Sequence, residues 1–444
     1  MNAAWLRYLP PAFRSYLADR HNLQAVIGNS GWLLADKIVR GGLGLVITVW
    51  MARYLGPETF GLLNFAVAFV ALFSAMASLG LDGIVVRELV RQPESKNEIL
   101  GSALHLKLVG GGIAFILAVA SIWHVRPADT QTHWLVSIIA MGMIFQAIDV
   151  ADLWFQSQVQ SRATVIAKDV AFLVFALIKV WLIWIHANVV AFAVAATGEI
   201  LLGALNLFIV FQRTGNKWSY IRPAWARMTS LLSEGWPQVL AGLAVVLYSR
   251  IDQVMLAQMA GEREVGLYSA AIRISELWNF IPAIMVSSIM PSLTEYRMRS
   301  KDLYSQRLQQ LYIVLARVAY TVAIPMTFLA NPLIRHLYGE SYSEAGLILA
   351  IHIWSGTFAF LGAATTLWSI NEGTMKITFY QTILGAACNI ALNLHLIPPY
   401  GALGSAVATI ISYCFCAWLL NGCFVKTKEI FYMQTRALLA GVRK

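Results

Sequence analysis

Arg53-Tyr-Leu-Gly-Pro-Glu-Thr-Phe-Gly-Leu-Leu-Asn-Phe-Ala66 joins two long apolar runs, and the chain uses it twice. Its second copy, 205 residues further on, is Gln258-Met-Ala-Gly-Glu-Arg-Glu-Val-Gly-Leu-Tyr-Ser-Ala-Ala271. Both copies place a glycine, four residues, Gly-Leu and then a helix start rich in small residues. The apolar run before each copy opens alike, at Gly31-Trp32 and Gly235-Trp236. Leu153-Trp154 matches Leu367-Trp368, and Val194-Ala195 matches Val407-Ala408. The chain is therefore read as an internal duplication.

Working outward, the flanking runs fix the solvent. The 444 residues are 58% hydrophobic and 13% charged, with a mean hydropathy of +0.64. A soluble domain carries about 25% charged residues, so most side chains here face hydrocarbon or one another. A span takes roughly 20 apolar residues. Twelve such segments are expected, near 29–51, 60–81, 101–123, 133–155, 163–186, 189–211, 231–257, 266–291, 307–329, 345–370, 376–397 and 401–425. They lack the alternation of barrel strands, and backbone groups in lipid must bond within their own segment. The expectation is an all-α membrane protein.

Basic residues orient these spans. With the N-terminus in the cytoplasm, Arg53, Arg126, Arg263 and Arg335 are the only lysines or arginines in outer loops. The inner loops and tails hold the larger share, including Arg87, Arg91, Lys96, Arg213, Lys217, Arg222, Arg227, Arg297, Arg299 and Lys301. This bias places both termini inside. The net charge of +10 is thereby explained by topology, and no nucleic-acid partner is expected. Six spans separate the two motif copies, an even number, so the repeats are parallel. The expected organisation is an interfacial segment at 1–28, a six-helix lobe at 29–211 and a linker at 212–230. A second six-helix lobe follows at 231–425, with a basic cytoplasmic tail at 426–444. The two lobes are expected to face a central cavity.

A charged side chain at mid-bilayer costs about 2.5–3.5 kcal/mol on insertion scales. Lys37, Arg40, Lys107, Lys168, Lys179, Arg250, Arg273 and Arg317 nevertheless fall within spans, as do Asp36, Asp149, Asp152, Asp169, Glu199, Asp252 and Glu276. Structural ion pairing accounts for some: Asp36 and Arg40 share a helix face, and Arg273 and Glu276 are three residues apart. Lys168 and Asp152 can snorkel to an interface. Lys107, Lys179 and Arg317 have no acid within a turn on their own helix, and Glu199 is a lone acid. Arg40, Lys107, Lys179, Arg250, Arg273 and Arg317 are the candidates for an anionic headgroup, since Lys and Arg give charge-assisted hydrogen bonds to phosphate oxygens. Asp36, Glu199, Asp252 and Glu276 are the candidates for coupling to H+ or Na+, because a carboxylate in low dielectric changes protonation readily. Cys388, Cys414, Cys416 and Cys423 are read as small packing residues. No metal site or cofactor is expected, and no Walker A sequence is present.

The motif Arg53-Tyr-Leu-Gly-Pro-Glu-x-Phe-Gly, together with Ser249-Arg-Ile-Asp-Gln-Val-Met-Leu256 and Gly261-x-x-x-x-Gly-Leu-Tyr-Ser-Ala-Ala271, resembles the Wzx-type lipid-linked oligosaccharide flippases of the multidrug/oligosaccharidyl-lipid/polysaccharide exporter superfamily. The resemblance covers nearly the whole chain. It implies alternating access in a bacterial inner membrane, ion coupling in at least some members, and an undecaprenyl-pyrophosphate-linked oligosaccharide as cargo for O-antigen, lipopolysaccharide or other surface polysaccharide. A polysaccharide polymerase and a chain-length regulator are the protein partners it brings into view, and the transporter itself is expected to act as a monomer. The superfamily's lumenal cations follow no fixed motif, so the site residues above rest on their location. A multidrug or cation antiporter is the first alternative; it would favour acids and aromatics over unpaired cations. A membrane-embedded glycan-processing enzyme is the second. Its strongest handle is the outer loop at 330–344 with Arg335, His336, Glu340 and Glu344. No enzymatic activity is expected.

Overall fold

The computed structural model describes the backbone of residues 21–442 and the side chains of residues 40–440. Most of the expected N-terminal segment and the side chains of Asp36 and Lys37 lie outside those limits. The described chain is built of helices in this order: α1 His21–Ala71, α2 Ser74–Ser78, α3 Asp82–Arg91, α4 Lys96–Val125, α5 Thr130–Phe145, α6 Val150–Ser157, α7 Ser161–Trp184 and α8 Val189–Arg213. After the linker come α9 Trp225–Met259, α10 Glu262–Glu276, α11 Phe280–Arg299, α12 Lys301–Tyr338, α13 Ala345–His352, α14 Ser355–Glu372, α15 Met375–Cys414, α16 Leu420–Cys423 and α17 Lys428–Val442. A π-helical turn, Phe415–Leu419, links α15 to α16.

Nine helices among the described residues are long and apolar enough to cross a membrane, and the chain is an all-α multi-pass membrane protein. Two of the nine run through an expected loop. In α1 the boundary between the first and second expected spans is Gly56, whose φ of 73° breaks the helix immediately before Pro57. In Met375–Cys423 the equivalent break is Gly401, at φ 53°, after Pro398 and Pro399. Proline has no N–H to donate and glycine accepts positive φ without steric cost, so each corner needs no separate loop. Helix α7 is as long as a span but carries Arg162, Lys168, Asp169 and Lys179.

The chain divides into two compact units. One is built on Phe73–Leu240 together with the chain up to Ile47; the other is Thr48–Leu72 with Ala241–Lys444. Compactness therefore changes at 47/48, 72/73 and 240/241. The two sequence halves exchange segments: Thr48–Leu72 belongs with the second unit, and the linker and start of α9 belong with the first.

In the first unit, the buried side chains of Leu81, Val85 and Leu89 pack with Leu100, Ala103, Leu153 and Phe155, and with Phe211 and Leu231. The linker is fixed onto this core. Arg222 N donates to Asn97 O at 3.3 Å, and Ala224 N donates to Ser102 Oγ at 3.1 Å. Arg227 reaches Glu88 at 3.6 Å, Glu98 at 3.6 Å and Gln92 Oε1 at 2.7 Å. Asp129 caps α5 by accepting from Thr132 N at 3.0 Å, and Asn188 caps α8 through Ala191 N at 3.1 Å. Such caps satisfy backbone donors left over at helix starts.

In the second unit, Leu308, Leu311, Tyr312 and Leu315 of α12 pack with Phe360, Leu361 and Ala364 of α14 and with Ile430, Met433 and Ala437 of α17. The segment expected as a basic tail thus contains a docked helix. Ser305 Oγ meets Glu429 Oε1 at 3.3 Å, Gln309 Nε2 donates to Met433 O at 3.0 Å, and Tyr320 Oη donates to Leu438 O at 3.3 Å. Those contacts run α17 alongside residues 305–320 of α12, from the edge of the expected span into it. Ile430, Met433 and Ala437 recur at helical spacing and form one apolar stripe, while Lys428, Glu429, Tyr432 and Arg436 stay exposed. Gln434 is fully buried and satisfied by Thr365 Oγ1 at 3.0 Å, Ala417 O at 2.8 Å and Asn421 at 3.1 Å.

Candidate functional site

The intramembrane charges fall into two kinds of arrangement, one in each unit. In the first unit the lysines and Arg40 have carboxylate partners on other helices. Arg40 Nε stands 2.9 Å from Asp169 Oδ1, and its guanidinium lies over the Phe172 ring, 5.3 Å from the centroid. Lys107, 6% exposed, pairs with Asp82 at the start of α3. Lys168 bridges Asp149 at 3.2 Å and Asp152 at 2.8 Å. Lys179 Nζ stands 2.8 Å from Glu199 Oε2, joining α7 to α8. The four cations are therefore largely neutralised where they stand, and Glu199 is not a lone acid. Cross-helix pairing is what low dielectric demands of an ion, since a single charge there is far costlier than a pair.

The second unit differs. Arg250, Arg273 and Arg317 make no ion pair within 4.0 Å among the described residues. Arg273 and Arg317 are exposed, and Arg250 is half-buried. Arg273 and Glu276, three apart on α10, do not pair within 4.0 Å: the arginine is exposed and Glu276 is half-buried. Arg250 and Glu276 both act electrostatically on Asp252. The structure thus brings Arg250, Asp252 and Glu276 into one neighbourhood and leaves Arg273 and Arg317 separately exposed.

Asp252 is the deepest of these acids, 5% exposed. Its carboxylate accepts from the Tyr268 hydroxyl and from Gln253 N, the latter at 2.8 Å. Tyr268 Oη lies 3.1 Å from Thr409 Oγ1, and its ring meets His352 edge-on at 5.9 Å. His352 Nδ1 lies 2.9 Å from Ser275 Oγ. On α15, Asn393 Nδ2 donates to Asn389 Oδ1 at 2.9 Å, and Asn389 Nδ2 donates to Ser412 Oγ at 3.3 Å. Among the described residues, Asn393 Oδ1 is buried without a hydrogen-bond partner. A buried oxygen left so retains its full capacity to accept. Sequence patterns of charge alone do not single out Asn389, Asn393, Tyr268, Ser405 and Thr409. The usable signal was the spacing of polar side chains by four along α15: Asn389 with Asn393, and Ser405 with Thr409.

No group of three or more His, Cys, Asp or Glu side chains suited to a metal occurs among the described residues. In the outer loop, Arg263 pairs with Glu344 at 2.7 Å, Arg335 pairs with Glu340 at 3.4 Å, and the backbone carbonyl of His336 accepts from Arg53 at 2.5 Å.

The described helices form a polytopic membrane fold, and solved structures share it. The chain resembles an inward-facing multidrug resistance MATE family transporter of the MOP superfamily, with a TM-score of 0.69, 15% identity and coverage of 90% of this chain and 95% of that one. It resembles the lipid II flippase MurJ with a TM-score of 0.68, 14% identity and coverage of 93% and 91%. At such identities the likeness is one of fold. The sequence profile of the polysaccharide biosynthesis protein family matches residues 26–297, and the chain belongs to that family. Among curated relatives, a probable flippase AglR of Haloferax volcanii is 22% identical over 83% of this chain and 77% of its own length. A putative O-antigen transporter of Shigella dysenteriae is 23% identical over 83% and 92%.

Proposed function

We propose that this chain is a secondary transporter that flips an undecaprenyl-pyrophosphate-linked oligosaccharide from the cytoplasmic to the outer leaflet of a bacterial inner membrane by alternating access. In this reading the two continuous helices broken at Gly56 and Gly401 count as two spans each, and α7 is a further span, which gives twelve in two repeat-related lobes. The carrying observation is that Arg250, Arg273 and Arg317 make no ion pair within 4.0 Å among the described residues, while Arg40, Lys107 and Lys179 of the first unit are paired. An arginine free of a carboxylate retains its donors for a diphosphate. Arg40, Lys107 and Lys179 become positioning residues that hold helices, with Glu199 as a partner. Asp252, buried beside Tyr268 and within the electrostatic reach of Glu276, is the group that carries the coupling H+ or Na+. Asp36 stays a coupling candidate on its place in the sequence. Family membership and relatives described as a flippase and an O-antigen transporter support the cargo class. No enzymatic step is required of the chain.

The test is a leaflet assay in proteoliposomes with a lipid-linked oligosaccharide, with and without an imposed H+ or Na+ gradient. Gradient-dependent appearance of the headgroup in the opposite leaflet is expected. A second reading, cation antiport, is favoured by the stacked Tyr248 and Tyr413, 4.8 Å apart, in the neighbourhood of Asp252. Drug efflux without any lipid translocation would replace the first reading with the second.

A further inference from the structure

The repeated Leu-Trp pair is used differently in its two copies. Trp368 is buried in the core of the second unit, 8% exposed. Trp154, on α6, instead walls a cleft of about 240 Å³ together with Leu89 of α3, Pro93, Lys96 at the start of α4 and Gln158. All five residues belong to the first unit. Trp154 is fixed edge-on against Phe211 at 5.5 Å and Phe155 at 4.7 Å. Lys96 Nζ lies over its face, 5.1 Å from the ring centroid. Lys96 also donates to Asn216 Oδ1, and Asn216, 7% exposed, is held in turn by donating to Thr214 Oγ1 at 3.0 Å.

Lys96 has no carboxylate within 4.0 Å among the described residues. An ammonium has three donors, and Asn216 takes one. The Trp154 ring holds the cation in place without discharging it. The surrounding segments 92–97, 154–162 and 213–220 carry Lys96, Arg162, Arg213 and Lys217 against the single acid Glu94. Trp218 stacks on Phe208 at 5.1 Å, and Lys217 lies over Tyr220, 5.5 Å from its centroid. Trp and Tyr set beside Lys and Arg mark the headgroup level of a bilayer. Gln158 is followed by Val159, whose φ of 55° is a left-handed conformation that a β-branched residue seldom takes. Backbone strain of this kind clusters where ligands are clamped.

We propose that this cleft binds the phosphate of an anionic phospholipid. Lys96 supplies charge-assisted hydrogen bonds to the phosphate oxygens, and Gln158 adds an amide donor. Trp154 and Leu89 form an apolar wall for the glycerol and the first methylenes. Basic pockets between helices at the cytoplasmic face are suited to such headgroups, and the segments gathered here are the ones expected on that side. The cleft is smaller than the roughly 300 Å³ at which ligand pockets begin, so it takes one headgroup and not an oligosaccharide. The inference is independent of the cargo that the chain moves.

The test is native mass spectrometry of the full chain in detergent, equilibrated with phosphatidylglycerol or phosphatidylcholine of equal chain length. The unaltered chain should retain one phosphatidylglycerol with about tenfold preference over phosphatidylcholine. Lys96→Gln should lower that retention by about tenfold, and Lys301→Gln, exposed in the second unit, should leave it unchanged. Equal retention of the two lipids, undiminished retention by Lys96→Gln, or an equal loss in Lys301→Gln would overturn the proposal. Should Lys96→Gln fail to fold, Pro93→Glu decides: at this exposed rim position a carboxylate faces the phosphate and should produce the same loss, and unchanged retention removes the site. Neither inorganic phosphate in excess nor undecaprenyl diphosphate should displace the lipid. Displacement by the first would mark a site for soluble anions and by the second a site for cargo, and either overturns the assignment to phospholipid.

Discussion

Lys179 Nζ of α7 and Glu199 Oε2 of α8 stand 2.8 Å apart, both side chains about one-fifth exposed. Each was a lone charge on its own helix, and each is the other's remedy. Lys179→Ala leaves a carboxylate in low dielectric, so it should destabilise the protein by up to about 3 kcal/mol. The double variant Lys179→Met/Glu199→Leu should recover most of that loss. Thermal unfolding in detergent measures both; equal losses in the single and double variants would show that the pair is energetically idle.

Arg250, Arg273 and Arg317 should behave in the opposite way. Replacing any one by Gln removes charge-assisted donors worth about 1.5–3 kcal/mol, roughly ten- to a hundredfold in headgroup affinity, without stranding a partner. Glycan translocation should fall while the melting temperature stays put. Normal translocation by all three variants would clear the second unit of a role in binding the headgroup.

Gln434 of α17 is bonded to Thr365, Ala417 and Asn421 with no exposure to solvent. Gln434→Leu abandons several buried polar groups at once and should cost about 1–3 kcal/mol. Ending the chain after Thr427 should cost more, because it uncovers Leu308, Leu311 and Leu315 of α12. Melting temperature and the yield of folded protein report both. A truncated chain as stable as the full one would make α17 an ornament of the second unit.

Asp129, between the α4 and α5 helices, has its carboxyl held below the usual Asp value: burial alone raises it, but hydrogen bonds from Thr132 and the charge of Arg126 outweigh that. A depressed folded-state pKa gives stability that is present above the unfolded value and lost as pH falls through the folded one. The α5 start should therefore weaken below about pH 4. Asp129→Ala should cost about 1 kcal/mol near neutral pH and flatten the acid limb of the stability profile. An unchanged acid limb would show that the cap does not titrate with folding.

The apolar helices were legible because run length is a local pattern. Pairing across helices was not. Arg40 finds Asp169, 129 residues away, a partner that no spacing along its own helix names; Lys107 finds Asp82 on α3 rather than an acid on its own helix. Spacing along one helix states which residues share a face, not which neighbour that face meets. Arg273 and Glu276 show the converse, suitably spaced yet pointing into different surroundings. The docked α17 was hidden by its ends: Lys426, Lys428 and Arg436 read as a solvated tail, and the stripe of Ile430, Met433 and Ala437 between them is too short to register as a span.

Gly61 and Gly266 hold the same position of the repeated motif, and a Cβ on either would overlap a carbonyl of the other copy, Glu262 O or Pro57 O. This reciprocal contact is an isologous one, the kind a two-fold axis generates between identical surfaces. A half-length ancestor carrying a single copy of the motif would have found the same mate only in a second molecule.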